Sequence, residues 1–413
     1  MEVGQFLLTL IALFGFAKLL GELAERIGQP AVLGELLAGL VVGVSGLHLV
    51  DPHDATIHLL SELGVVLLLF LIGLETDLRK LLAVGFSSTA VALVGVFVPF
   101  GLGFLVGEML GYPRVLSIFL GATLTATSVG ITARVLSDLG HLQDKESQIV
   151  LGAAVIDDIV GLVILAVVGA LAKGEPLSVL GVVRITVVAF GFVVLAIVIG
   201  QYLAPVLIRG IAKLRVAKAL FFASVMFAFA LAYLADAVGS AMIVGSFAAG
   251  LVLARTDEGH RIEREVHDIA QFFIPIFFVS VGAAIELKTL NPFDPAARKF
   301  LLIGIALTVV AIIGKIVAGF VVRGRDAKRL VIGVGMIPRG EVGLIFAQIG
   351  LATGLLSGGI YSAVALMVIA TTFVTPPALR LLLKKGAPPS EEHVASYVTE
   401  AFDDRAPGAA EDE

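Results

Sequence analysis

The chain has 413 residues, of which 58% are hydrophobic and only 15% are Asp, Glu, Lys or Arg, with a mean hydropathy of +1.03 and a net charge of −5. A soluble domain carries roughly a quarter charged residues, so this composition excludes one and reads as an all-α polytopic membrane protein. Cysteine is absent, which excludes disulfides, thiolate metal sites and haem attachment; neither a cofactor nor a nucleic-acid partner is implied.

The N-terminus, Met1-Glu2-Val3-Gly4-Gln5, lacks the basic n-region and cleavage site of a signal peptide, so the first apolar segment reads as a retained helix. Measured against the ~20 residues a helical span requires, apolar runs predict about thirteen transmembrane helices. They lie near 5–24, 31–47, 59–74, 87–107, 115–137, 147–172, 180–208, 217–236, 239–254, 269–287, 299–322, 328–352 and 359–383. Alternate loops divide the basic residues nineteen to six, the richer side holding Arg26, Arg79, Lys80, Arg134, Lys145, Arg209 and their successors. Cytoplasmic loops hold the excess, which predicts the N-terminus outside and the C-terminus inside.

In the second helix, Gly34-Glu35-Leu36-Leu37-Ala38-Gly39-Leu40-Val41 resembles Gly245-Ser246-Phe247-Ala248-Ala249-Gly250-Leu251-Val252 in the ninth. Leu71-Ile72-Gly73-Leu74 likewise echoes Ser280-Val281-Gly282-Ala283, at nearly the same offset. Gly/Ala-rich helices resemble one another by composition, but a shared offset predicts an inverted repeat of helices one to six and eight to thirteen, an architecture of secondary transporters. Lys18, Glu22, Glu25 and Glu35 lie towards helix ends and are read as snorkelling to water.

Helix five carries Thr123, Thr125, Thr127 and Ser128 between Gly121 and Gly130, with Thr132 just beyond. Such a run either bonds back to its own helix or unwinds and offers carbonyls and hydroxyls to a hard cation. Helix six contains the most informative feature: Asp157 and Asp158, adjacent within Ile149 to Ala172, a stretch otherwise free of formal charge. Two like charges this close in low dielectric bind protons or cations. In helix eleven Lys315 lies about 10 Å from the cytoplasmic end, and Asp157 lies about 12 Å from the cytoplasmic start of helix six. The two are therefore level, and Asp157 is expected to pair with Lys315, leaving Asp158 to titrate and bind the ion. A static salt bridge alone accounts for Lys315 and one Asp but not the second. Helix twelve holds Gly333, Gly335, Pro338, Arg339, Gly340, Glu341 and Gly343, which makes an unbroken helix improbable; Arg339 and Glu341 are expected to compensate the broken backbone and each other. Interrupted helices five and twelve, at corresponding places in two halves, point to a midplane site where they cross.

Ala153-Ala154-Val155-Ile156-Asp157-Asp158, Ala126-Thr127-Ser128-Val129-Gly130-Ile131-Thr132, Gly314-Lys315 and Gly335-Met336-Ile337-Pro338-Arg339-Gly340-Glu341-Val342-Gly343 together resemble the bacterial Na⁺/H⁺ antiporters of the monovalent cation:proton antiporter family. The likeness spans roughly residues 5 to 385. It implies a core at about 87–172 and 299–383 moving elevator-fashion against a panel or dimerisation domain at about 5–74 and 180–287, in a homodimer of the bacterial inner membrane. It also implies that Asp158, with Asp157, binds Na⁺ or protons, that Asp157 is paired with Lys315, and that Thr127 and Ser128 lie at the unwound crossing. An Asp-Asp pair with a Lys goes in this family with electrogenic exchange. Relatives that move K⁺ often replace the first Asp with Gln and append a nucleotide-binding domain, whereas here Asp157 is present and a polar, acidic tail of 28 residues, 386–413, is expected to be disordered. The readings kept beside Na⁺ are Li⁺ as cargo, a K⁺/H⁺ antiporter of the same fold, and a cation channel.

Overall fold

The computed structural model describes residues 3–383, apart from 28, 53, 174–178, 213–215, 217, 285–294, 325–326 and seven positions within 341–352. Glu341 and the acidic tail lie outside the described residues. Among those described, the secondary structure is entirely helical.

The first helices are α1 (Val3–Arg26), α2 (Ala31–Val42) and α3 (Ala55–Glu75), followed by the short α4 (Leu78–Ala83). Proline precedes α2 at position 30, where its fixed φ and missing N–H suit a helix start. Asp54 caps α3, its Oδ1 accepting from the amides of Thr56 at 2.9 Å and Ile57 at 3.3 Å. Then come α5 (Gly85–Met109), α6 (Arg114–Thr123), α7 (Val129–Asp138), α8 (Lys145–Lys173), α9 (Val179–Ala212) and α10 (Ala219–Ala237). The remainder are α11 (Met242–Leu253), α12 (Gly259–Ala283), α13 (Pro295–Gly319), α14 (Arg329–Gly335) and α15 (Gly358–Leu382).

Nine of the described helices are long and apolar enough to cross a bilayer. Four predicted spans look different. The 115–137 segment is broken into α6 and α7, and the helix that begins at Arg329 stops at Gly335. α2 and α11 are 12 residues each, shorter than the predicted 31–47 and 239–254. α2 ends because Gly43 leaves the helix and the next amide, Val44, donates to the Ala283 carbonyl of α12 at 3.1 Å. α12 starts earlier than predicted, at Gly259, because its first turns are stabilised by ion pairs such as Arg261 with Glu265 at 3.3 Å.

Glycines set the packing of α1, α2 and α3 with α10, α11 and α12. A Cβ on Gly34 would lie 2.2 Å from the Leu20 carbonyl oxygen of α1, and one on Gly245 would lie 2.2 Å from the Leu231 oxygen of α10. A Cβ on Gly39 would meet the Val279 oxygen at 2.1 Å, and one on Gly282 the Leu36 oxygen at 2.1 Å, so α2 and α12 touch backbone to backbone. Gly73 and Gly250 do the same for α3 and α11, at 2.4 Å from Phe247 O and 2.3 Å from Phe70 O. The glycines that match in sequence thus occupy matching contacts. A separate apolar core, including Phe119, Leu120, Leu307, Phe346 and Met367, joins α6, α13 and α15.

Candidate functional site

Asp157 and Asp158 sit midway along α8, which the surrounding apolar residues bury, and are 1% and 8% exposed. At 3.6 residues per turn, the helix sets the two side chains about 100° apart. Asp157 points at α13, where Lys315 Nζ donates to its Oδ2 at 3.1 Å with both side chains fully buried. Its Oδ1 has no hydrogen-bond partner among the described residues. Space for the ammonium comes from α5: a Cβ on Gly95 would lie 3.4 Å from Lys315 Nζ. Pro99, four residues on, has no N–H to return to the Gly95 carbonyl, so the helix does not supply that acceptor, on the turn facing the ammonium, with its usual donor.

Asp158 faces elsewhere. It borders a cavity of about 10 Å³, room for one water, whose other walls are Leu69 of α3, Val129 of α7, Leu151 and Val155 of α8, and Ile243, Val244 and Phe247 of α11. The carboxylate therefore lies where α7 and α8 meet α3 and α11.

Beside this pair the two interrupted helices meet. Thr123 and Thr125 hydroxyls bond back to the Leu120 and Ala122 carbonyls, each at 2.8 Å, and the helix lapses until Val129. On the other strand of the crossing, Pro338 follows the end of α14. The breaks complete one another: the Ser128 amide donates to the Pro338 carbonyl at 2.8 Å, Thr127 Oγ1 to Met336 O at 3.3 Å, and Thr132 Oγ1 to Gly335 O at 2.6 Å. Gly340 lets the two segments close, since a Cβ there would lie 2.7 Å from Ser128 Oγ.

Arg339 is wholly buried at this crossing. Its guanidinium donates to the Leu124 carbonyl at the end of α6 at 2.8 Å, to the Ile337 carbonyl just after α14, and to Ala311 O of α13 at 3.4 Å. A cation thus sits at the C-terminal, negative ends of two half-helices. Thr372 of α15 fixes the same residue by donating to the Arg339 carbonyl at 2.5 Å. The charges of Asp157, Arg339 and Asp158 act on Lys315, and that of Asp157 acts on Arg339. Two buried cations therefore balance two buried carboxylates.

The comparisons with known proteins agree on what this arrangement belongs to. The family model "Sodium/hydrogen exchanger, transmembrane" matches residues 9–385. The chain is a member of the sodium/hydrogen exchanger family. It is 42% identical to the high-affinity Na⁺/H⁺ antiporter NhaS3 of Synechocystis sp., covering 92% of this chain and 90% of that one. It is 39% identical to the Na⁺/H⁺-K⁺ antiporter GerN of Bacillus cereus, covering 91% and 96%. In fold it matches the sodium proton antiporter MjNhaP1 of Methanocaldococcus jannaschii with a TM-score of 0.65 at 17% identity, over 91% of this chain and 97% of that one.

Within this exchanger-family chain the structure brings together Asp157 and Lys315 directly and sets Thr127, Ser128 and Arg339 at one crossing. Glu341 is outside the described residues, so its pairing with Arg339 is not seen; the guanidinium is instead occupied by backbone carbonyls. The individual weight of Thr132, Thr372 and Gly95 was not read from sequence. Thr132 belongs to a hydroxyl-rich run, but Thr372 and Gly95 look in sequence like ordinary residues of apolar helices. One expectation is corrected: Glu35 does not snorkel. It is 4% exposed, because Gly34 brings α2 against the backbone of α1 while the other side of α2 packs on α12, closing the route to water.

Proposed function

We propose that the chain is a secondary antiporter that exchanges cytoplasmic Na⁺, or Li⁺, for external H⁺, with Asp158 as the carrier of either cargo. The observation that carries this is the division of labour between the two aspartates. Lys315 holds Asp157 at 3.1 Å, while Asp158 borders a water-sized space between helices. A proton on Asp158 removes the charge that attracts Na⁺, so the two cargoes exclude one another. Na⁺ and H⁺ each add one positive charge to the same carboxylate, so the two loaded states are electrostatically alike and one can replace the other. One proton for one Na⁺ moves no net charge. Electrogenic exchange therefore requires a second proton, and the Asp157–Lys315 pair is the buried group placed to carry it.

The rest of the mechanism belongs to the same proposal. Helices one to six and eight to thirteen form inverted repeats, supported by the paired glycine contacts. The core at 87–172 and 299–383 moves against the panel at 5–74 and 180–287 of a homodimer, in a bacterial inner membrane with the N-terminus outside. K⁺ is the second candidate cargo, because the relative GerN carries both Na⁺ and K⁺ in its name.

Asp158→Asn tests the reading. In proteoliposomes the variant should assemble normally and show no pH-coupled Na⁺ flux; retained flux would overturn the assignment of Asp158. Currents on solid-supported membranes at varied Na⁺, Li⁺ and K⁺ fix the cargo, and single-channel openings would replace antiport with conduction.

A further inference from the structure

A second group of charges lies away from the Asp157–Lys315 centre, near the ends of α3 and α7. Glu35, one turn into α2, is buried, and its Oε2 has no hydrogen-bond partner among the described residues. Lys18 of α1 and Arg134 and Asp138 of α7 are the charges that act on it. Arg134 forms an ion pair with Asp138 at 2.9 Å, one turn along its own helix, and it also feels the charges of Glu35 and Glu75. Glu75, the last residue of α3, accepts from Ser137 Oγ of α7 at 3.1 Å, and the Gln143 side chain donates to the Glu75 carbonyl. Around this group, Glu263 of α12 acts on Glu75, Glu25 acts on Asp138, and Arg380 of α15 donates to the Ile27 carbonyl at 3.2 Å.

Three carboxylates from three helices thus act electrostatically on one guanidinium, Asp138 in direct contact with it. A carboxylate withdrawn from water is tolerated with a cation beside it or a proton on it. Asp138 holds the guanidinium directly and Glu75 has a hydroxyl donor. Glu35 is left with Oε2 lacking a hydrogen-bond partner among the described residues. We propose that Glu35 is a second proton-binding carboxylate, distinct from Asp158, and that its ionisation ties α2 to α7 through Arg134. Ionised, Glu35 draws on the guanidinium and holds α7 in place; protonated, it lets go.

The consequence rests on the antiport reading. α7 runs directly from Ser128 and Val129, beside the ion site, to Arg134, so a hold on its far end governs how readily the site moves without touching the ion. Exchange at saturating Na⁺ should therefore quicken as the pH on the Arg134 side falls through the titration of Glu35. Competition at Asp158 acts in the opposite sense and is removed by saturating Na⁺.

The test is the exchange rate of proteoliposomes at saturating Na⁺, scanned over pH on the Arg134 side, for the native chain and Glu35→Gln. The variant should run at the native acid-side rate at every pH, losing the alkaline decline, with unchanged Na⁺ half-saturation. Glu35→Asp should restore the decline at a shifted position. A native profile in Glu35→Gln would overturn the proposal. So would complete loss of exchange in folded Glu35→Gln and Glu35→Asp, because it would put Glu35 on the ion path. Should Glu35→Gln not assemble, Glu35→Asp and Arg134→Lys carry the test: each shifts the pH step at constant Na⁺ half-saturation, and an unshifted step in both overturns it. Asp158→Asn, by contrast, bears only on the antiport reading and is silent at all pH values, so the two failures are distinguishable.

Discussion

Lys315→Ala tests how the buried ion pair is held. It leaves Asp157, 1% exposed and already lacking a donor at Oδ1 among the described residues, without the ammonium 3.1 Å away. Unit charges about 3 Å apart attract by roughly 5 kcal/mol at an effective dielectric of about 20. Deleting one partner of a buried pair costs about 3–5 kcal/mol, because the other remains as an uncompensated charge. A proton on Asp157 relieves that cost, so the variant should unfold at a lower temperature than the native chain and recover on acidification. Asp157→Asn/Lys315→Ala, which removes both charges, should regain most of the loss. Thermal unfolding in detergent of the native chain, the two single variants and the double variant supplies the comparison. A double variant no more stable than the weaker single one would refute the reasoning. The same proteins on solid-supported membranes report the second role: Lys315→Ala should pass less current per Na⁺ transported, and unchanged current would remove Lys315 from proton coupling.

Arg339→Gln withdraws charged donors from the Leu124, Ile337 and Ala311 carbonyls. At about 1.5–3 kcal/mol for each hydrogen bond to a charged group, it should abolish folded protein on size-exclusion chromatography, with Arg339→Lys only a partial rescue; a native elution profile for Arg339→Gln would refute the capping role. Gly39→Ala drives a Cβ to 2.1 Å from Val279 O, whereas Gly101 has open space around it. Overpacking costs about 1–3 kcal/mol or more, so Gly39→Ala should lower the unfolding midpoint while Gly101→Ala leaves it level or slightly raised; equal midpoints would show that α2 and α12 can part without cost. If one carboxylate serves both cargoes, raising Na⁺ should move the pH of half-maximal exchange downward, and a midpoint indifferent to Na⁺ would separate the two sites.

The sequence carried the apolar segments and the deep charges because each is a local signal: a long uncharged run, or an ionisable residue far from either end. Lys315 and Asp157 could be set level by counting residues along helices running in opposite directions, and they lie in contact. The break near Pro338 was legible because proline removes an amide that a helix needs. What Arg339 does was not. Its partners are carbonyls more than 200 positions away in one case and 28 in another, and backbone acceptors leave no trace in side-chain identity. Glu35 was misread for a related reason. Its distance from a helix end suggested access to water, but access is decided by how closely α1 and α12 approach, and that depends on the neighbouring Gly34 and Gly39 acting across helices.

The glycine seams divide the molecule mechanically. Where Gly39 faces Gly282 and Gly73 faces Gly250, main chain rests on main chain, with no flexible side chain to bend, so α2 with α12 and α3 with α11 behave as welded plates. Around Asp158, by contrast, these plates meet α7 and α8 through the apolar side chains of Leu69, Val129, Val155 and Phe247. Under the proposed antiport mechanism, this side-chain contact, unlike the glycine seams, is the surface along which Asp158 would shift.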